Sequence, residues 1–323
     1  MKLSIIVPVY GVANYLCKCV DSLLAQDLID YEIVLVDDGS PDKCPQICDE
    51  YKEKFDNIQV VHQENAGLSA ARNSGVKVAT GDYIMFVDSD DYLQPNVLGA
   101  LMEQVQREQL DVLRFDFQNV RQTEAGEYEV FQPNKYPHQV DTCREVVDGE
   151  TYLDERMGYA CYAVQFLLRR NLAFQEIFTL KIHFEDVDWT PRMLLAAKRV
   201  NSTPLVVYNY LVRPGSITKV QGDKNKQRKN LEDSIFVMHT MNELKAKYPK
   251  SKWLLRMICC NAVGVLTHVA MSFYDERKEY IRRLQELNVF PLVIADQGKT
   301  YARRARIINL LGARLYCWVM KWR

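Results

Sequence analysis

The stretch Tyr83-Ile84-Met85-Phe86-Val87-Asp88-Ser89-Asp90-Asp91 decides the reading of this chain. Its apolar half reads as a buried strand, and it stops abruptly in a hydroxyl and three carboxylates. Like charges this close raise one another's pKa values, and a divalent cation resolves the repulsion. Hard oxygen ligands suit Mg²⁺ or Mn²⁺, which take few protein carboxylates and complete their shells with water and phosphate oxygens. Asp88, Asp90 and Asp91 are therefore candidate metal ligands. The alternative is a solvated acidic turn before a helix at Asn96.

Outward from this stretch, short apolar runs alternate with helical patterns, which predicts a mostly parallel sheet with crossover helices. Strands are expected at 3–9, 32–36 and 58–62, besides 83–87, with helices at 14–26 and 69–79. Asp37-Asp38-Gly39-Ser40 ends the second strand as Asp88 ends the fourth. In open α/β sheets ligands bind at that carboxyl edge, so both acidic motifs are placed before any family is named. Beyond Pro95 the pattern loosens: a helix at 96–107, strands at 112–117 and 205–212, a helix at 189–198, and an excursion of hairpin and loop at 118–141. From about Lys226 it reads as helices only, at 230–248, 253–273, 276–287 and 301 to the end. Two domains follow, 1–220 and a helical region 221–323.

Other residues carry chemistry of the same kind. An aspartate at Asp37 or Asp38 can accept from a uracil imide or a ribose hydroxyl, or can form a plain Asx turn. Tyr10, after Pro8 and Val9, can stack on a nucleobase or sit in the core. Arg72 can reach a diphosphate bidentately and Asn65 a base or sugar; otherwise Arg72 is a solvated helix residue. Glu185 and Asp186 stand at a helix start, where a carboxylate can take a proton from an attacking hydroxyl or simply cap the helix. Arg213 and Ser216 lie in a loop that either closes over a diphosphate or is only a turn.

Composition narrows the classes. The 323 residues are 48% hydrophobic, and 41 Lys plus Arg face 42 Asp plus Glu, so no overall field gathers nucleic acid. Nine cysteines in no zinc-like spacing read as reduced thiols in a cytosolic compartment. There is no secretory signal pattern at Met1-Lys2, and no uninterrupted apolar stretch is expected to span a bilayer. P-loop and Rossmann glycine fingerprints are missing.

Taken in order, SIIVPVYG, VDDGS, ENAGLSAARNSGVKVATGDYIMFVDSDDYLQP and FEDVDW resemble the family 2 glycosyltransferases, an inverting group with the GT-A fold that includes capsule, exopolysaccharide and lipopolysaccharide enzymes. The resemblance covers about Leu3 to Thr218. It implies a UDP-sugar donor and a glycan or lipid-linked acceptor. Pro8 and Tyr10 would flank the base, Asp37 and Asp38 would contact base or ribose, and Asn65 and Arg72 would orient the nucleotide. Asp88 and Asp90 would form the Asp-x-Asp pair, with Asp90 nearest the metal and Asp91 sharing or replacing it. Asp186 would be the general base, with Glu185 shaping the acceptor pocket, and Arg213 and Ser216 would close on the diphosphate. The Gln-x-x-Arg-Trp motif of processive synthases is absent, which implies single additions. Gly11 stands where many relatives carry asparagine. The rival readings are a nucleotidyltransferase and a non-catalytic scaffold of an envelope assembly complex.

From Gln297 to Arg323 the chain holds basic residues and no acid, interleaved with Ile307, Ile308, Leu310, Leu311, Leu315, Trp318, Val319 and Trp322. A basic amphipathic helix suits an anionic surface on the inner face of the cell membrane. Packing on the protein itself, or on a second copy in a homo-oligomer, is the alternative.

Overall fold

The computed structural model describes residues 1–131, 145–213, 223–294 and 298–322. The chain divides into two units, one made of Met1–Lys181 and Glu185–Gln221, the other of Ile182–Phe184 and Gly222–Arg323.

The first unit opens with β1 (Leu3–Val9), α1 (Ala13–Leu24), β2 (Tyr31–Asp37), α2 (Cys44–Lys54), β3 (Ile58–His62), α3 (Leu68–Val78) and β4 (Tyr83–Phe86). It continues with β5 (Tyr92–Leu93), α4 (Leu98–Glu108), β6 (Val112–Gln122), β7 (Tyr128–Val130), α5 (Gly149–Arg156), β8 (Phe166–Arg169), α6 (Arg170–Gln175), α7 (Glu185–Ala196) and β9 (Val200–Leu211). The sheet runs β3-β2-β1-β4-β8-β6-β9-β5, with β7 beside β6. Strands β3, β2, β1 and β4 are parallel, whereas β8 is antiparallel to both β4 and β6. The order turns back between β1 and β4, and the crevice beyond those strand ends is where open α/β sheets bind ligands.

Local sequence explains these elements. Every residue of β1 is buried, as the unbroken run LSIIVPV requires of a strand covered on both faces. Helix α1 buries Leu16, Cys19, Val20 and Leu23, a single helical stripe. Helix α3 turns small residues to the sheet: a Cβ on Gly75 would stand 2.3 Å from Ile6 Cγ2. Asn73 pins the same helix by a double bond, donating to the Phe178 carbonyl and accepting its N–H, each at 2.9 Å.

Several expected boundaries move. Strand β6 runs on to Gln122 and turns back as a hairpin with β7, so the expected excursion begins as sheet. Helix α7 starts at Glu185, not Trp189, because Glu185, Asp186 and Asp188 fill the first turn, where carboxylates are favoured, and the helix continues through Pro191.

The second unit contains α8 (Lys224–Lys247), α9 (Lys252–Ser272), α10 (Arg277–Glu286), α11 (Lys299–Leu311) and α12 (Ala313–Lys321). The single terminal helix expected from residue 301 is two helices, broken at Gly312, whose φ of 79° suits glycine. Helix α9 is long and apolar enough to cross a membrane by length and composition, although Arg256, Asn261 and His268 interrupt its apolar run. Its place in this unit is that of a core helix, since Trp253, Leu254, Ile258, Ala262, Leu266 and Val269 are buried.

Candidate active site

Helix α3, the end of β4 and the start of α7 bring four charged residues to one point. Arg72 is buried, and its guanidinium donates to Asp88 Oδ1 through Nη2 at 3.0 Å, and through Nη1 to Asp186 Oδ1 at 3.0 Å and Glu185 Oε1 at 3.3 Å. Residues more than a hundred positions apart are thus joined by one cation. The alternative of a solvated Arg72 is corrected: the ring of Phe178 lies 5.1 Å from its guanidinium carbon, inside the protein.

One positive charge faces three negative ones. Burial and the neighbouring Asp186 push Glu185 up to about 7. Asp186 is raised by burial, against the pull of Arg72 and of a hydrogen bond from the Ala163 N–H. Burial alone would lower Arg72's affinity for its proton, and the charges of Asp186, Asp88 and Glu185 more than reverse that, so the guanidinium stays protonated.

The acidic cluster beyond β4 divides into two kinds of residue. Asp91 is only 2% exposed, and both its oxygens are used, Oδ2 by the Tyr208 hydroxyl and Oδ1 by the Leu211 N–H, each at 2.7 Å. Tyr208 also accepts the Asp88 N–H at 3.0 Å, so one buried hydroxyl ties the cluster to β9. Asp88 and Asp90 keep 30% and 26% of their side chains exposed. Arg213 Nε donates to Asp90 Oδ2 at 2.7 Å, which places the arginine on the cluster, while Ser216 lies outside the described residues. Burial first, and then the charge of Asp88, raise the Asp90 carboxyl. Among the described residues no three His, Cys, Asp or Glu side chains gather as an all-protein metal cage.

On the nucleotide side, Tyr10 is exposed just past β1, and Pro8 is buried within it. Asp37 accepts the Ser40 N–H at 3.1 Å and pairs with His62 Nδ1 at 2.9 Å. Asp38 is buried and accepts from Gln63 Nε2 at 2.6 Å and from the N–H groups of Ala66 and Gly67 at 2.9 and 2.8 Å. Its carboxylate therefore builds the loop that carries Asn65, which is exposed. Gly39, at φ 68°, lets that loop approach: a Cβ there would meet Asn65 N at 2.9 Å.

Tyr208, Gln63 and His62 were not singled out from sequence. Tyr208 sits in the alternating run of β9 and carries no local signal for its partners.

Residues 4–146 match the family described as Glycosyl transferase family 2. The chain is 32% identical over 238 residues to the glycosyltransferase GlyG of Streptococcus pneumoniae, covering 71% of this chain and 77% of that protein. This chain belongs to the family 2 glycosyltransferases. The glycosyltransferase is also 29% identical over 327 residues to EpsJ, an uncharacterized glycosyltransferase of Bacillus subtilis, covering 99% of this chain and 92% of EpsJ. Among solved structures, S. aureus TarS residues 1–349 in complex with UDP-GlcNAc superimposes with a TM-score of 0.72 at 19% identity, covering 100% of this chain and 92% of that one. The fold of this glycosyltransferase is thus GT-A, with a helical appendage. Glycosyl transfer needs a group to take a hydroxyl proton and charge to stabilise a leaving group. Glu185 and Asp186 are part-buried carboxylates, and Arg213 on the Asp88–Asp90 edge is a cation.

Proposed function

We propose that this glycosyltransferase moves a sugar from a UDP-sugar to a hydroxyl of a glycan or lipid-linked acceptor in cell-surface polysaccharide synthesis, with inversion at the anomeric carbon. The observation that carries the reading is the joining of Asp88, at the ligand-binding edge, to Glu185 and Asp186 through Arg72. The TarS complexes with UDP-GlcNAc and with UDP support a uridine nucleotide donor. A similarity to a poly(ribitol-phosphate) β-glucosyltransferase of Bacillus spizizenii, 30% identical over 220 residues, supports a cell-surface acceptor.

In this reading Tyr10 stacks on the base and Asn65 contacts base or sugar. Asp38 and Pro8 shape that pocket, Asp37 lies beside the ribose, and Arg72 orients both the diphosphate side and the base. The raised Asp90 carboxyl and the two part-exposed, oxygen-only side chains fit a hard divalent cation, Mn²⁺ or Mg²⁺. Asp90 and Asp88 would hold it, each keeping an oxygen outside its arginine pair, and Asp91 positions them from within the fold. When bound, the cation neutralises charge on the diphosphate.

Asp186 takes the acceptor proton as the acceptor oxygen forms its bond to the anomeric carbon. The bond from that carbon to the diphosphate oxygen breaks, and its electron pair leaves with the nucleoside diphosphate, to which Arg213 donates hydrogen bonds. Glu185 keeps the proton-accepting pair poised near neutrality. A screen of nucleotide-sugars for diphosphate release, with Mn²⁺ or Mg²⁺ present, tests the reading. Asp186→Asn is expected to retain donor binding and lose transfer by at least 10²-fold. Undiminished transfer would remove Asp186 from this role, and release of pyrophosphate would point to nucleotidyl transfer.

A further inference from the structure

Helix α12 carries two apolar stripes, although packing on its own unit requires one. The inner stripe is Ala313, Tyr316, Cys317 and Met320, spaced i, i+3, i+4, i+7. The Tyr316 hydroxyl meets Thr267 Oγ1 of α9 at 2.8 Å, and Cys317 Sγ lies 3.6 Å from the Leu266 carbonyl. The outer stripe is Leu315, Trp318, Val319 and Trp322, with the same spacing on the opposite side. Its side chains face solvent, Trp318 at 54% and Trp322 at 73% exposure. Just before the Gly312 break, Leu310 is 82% exposed.

Charge accompanies this second stripe. Arg314 and Lys321, seven residues apart, are exposed along one flank of it. The exposed side of α11 carries Lys299, Arg303 and Arg306 at i, i+4, i+7. No acidic residue occurs between Gly298 and Trp322. A tryptophan-bearing apolar face with a basic border fits the boundary between headgroups and acyl chains, where indole rings concentrate and each lysine or arginine gains attraction to anionic lipid. A second copy of the chain fits poorly, because the same basic rows would face each other across the contact.

We propose that the outer face of α11–α12 docks this protein on an anionic membrane surface. The site is in the helical unit and stands independently of the sugar-transfer reading. The full chain is tested by co-sedimentation with vesicles of phosphatidylglycerol and phosphatidylcholine, and with phosphatidylcholine alone. Binding to the anionic vesicles is expected, weakened by added salt and reduced at least tenfold in the triple variant Leu315→Ser, Trp318→Ser, Trp322→Ser. Arg303→Gln with Arg306→Gln is expected to weaken anionic binding and leave its residual salt dependence smaller. Because the substituted side chains are exposed, thermal unfolding of both variants should match the parent and show that the fold is kept. Equal vesicle binding by the triple variant, absence of binding by the parent chain, or a parental dimer that the triple variant dissolves would each overturn the proposal. None of these readouts needs a donor sugar, so failure here leaves the catalytic reading separately testable.

Discussion

Arg72 is required by three carboxylates at once, and the excess of negative charge has consequences that can be measured. Glu185 holds its proton up to about 7, so a reaction that needs the Glu185–Asp186 pair ionised should slow as pH falls below about 7. Glu185→Gln removes the like charge beside Asp186, so the remaining carboxylate ionises more readily and the acid limb of kcat/KM should move to lower pH. Loss of all transfer, with no limb left to move, would instead make Glu185 the base. The same substitution bears on stability. A raised folded-state pKa means that the folded protein binds more protons than the unfolded chain between about pH 4.3 and 7, so the group destabilises the fold above that window. Glu185→Gln should therefore stabilise the ligand-free protein at pH 8 by on the order of 1 kcal/mol. Differential scanning calorimetry at pH 8 and at pH 5 checks the sign, with the gain confined to the higher pH.

At the scale of elements, the position of the carboxylates depends on how α7 is seated. Trp189 lies one turn after Glu185, fully buried, stacked on Phe178 at 4.5 Å and edge-on to Phe86 at 5.9 Å. Its indole N–H donates to the Glu176 carbonyl at 2.6 Å. Trp189→Ala should cost about 3–5 kcal/mol, read from the urea midpoint, and should lower transfer through loss of helix position. A second seat is Gly149 at the start of α5, where a Cβ would fall 1.6 Å from the Leu194 carbonyl oxygen of α7. Gly149→Ala therefore forces backbone apart and should cost roughly 1–3 kcal/mol by the same measurement. The strands from β1 to β4 and the acids at their ends were legible in sequence because both faces of that sheet are buried, and a buried strand writes an unbroken apolar run. Asp88 and Asp90 were legible for the same reason, since charge directly after such a run must lie at its edge. Arg72 could be singled out in sequence but not as the partner of Glu185 and Asp186, because a contact across 114 positions leaves no periodic trace. Tyr208 was hidden in the same way, and Asp91 looked like its neighbours although its hydrogen bonds turn it inward.

Across the whole molecule, titration divides the acids into two groups with opposite effects on stability. Glu32 is held down to about 2: burial alone would raise it, but hydrogen bonds from Lys2, Ser4 and Thr80 outweigh that penalty. It stabilises the fold above its unfolded pKa of about 4.3, and that contribution is lost as pH falls through about 2. Asp90, Asp91, Glu185 and Asp186 are all raised, chiefly by burial, and Asp116 is raised by burial to about 7. Glu185 and Asp116 make the folded state the better proton binder from about pH 4 to 7, and the other three act in the same direction, so stability falls as pH rises through that range. The two groups together predict greatest stability of the ligand-free protein in mildly acidic solution, with the melting temperature declining from about pH 5.5 to 8. Protons and a divalent cation compete for the Asp88–Asp90 edge in the proposed function. Added Mn²⁺ should therefore raise the melting temperature more at pH 8 than at pH 5.5, and Asp90→Asn should abolish most of that difference. Thermal shift across pH, with and without Mn²⁺, provides the comparison. A melting temperature that climbs from pH 5.5 to 8 would refute the charge argument, and an Mn²⁺ effect unchanged in Asp90→Asn would place the cation elsewhere.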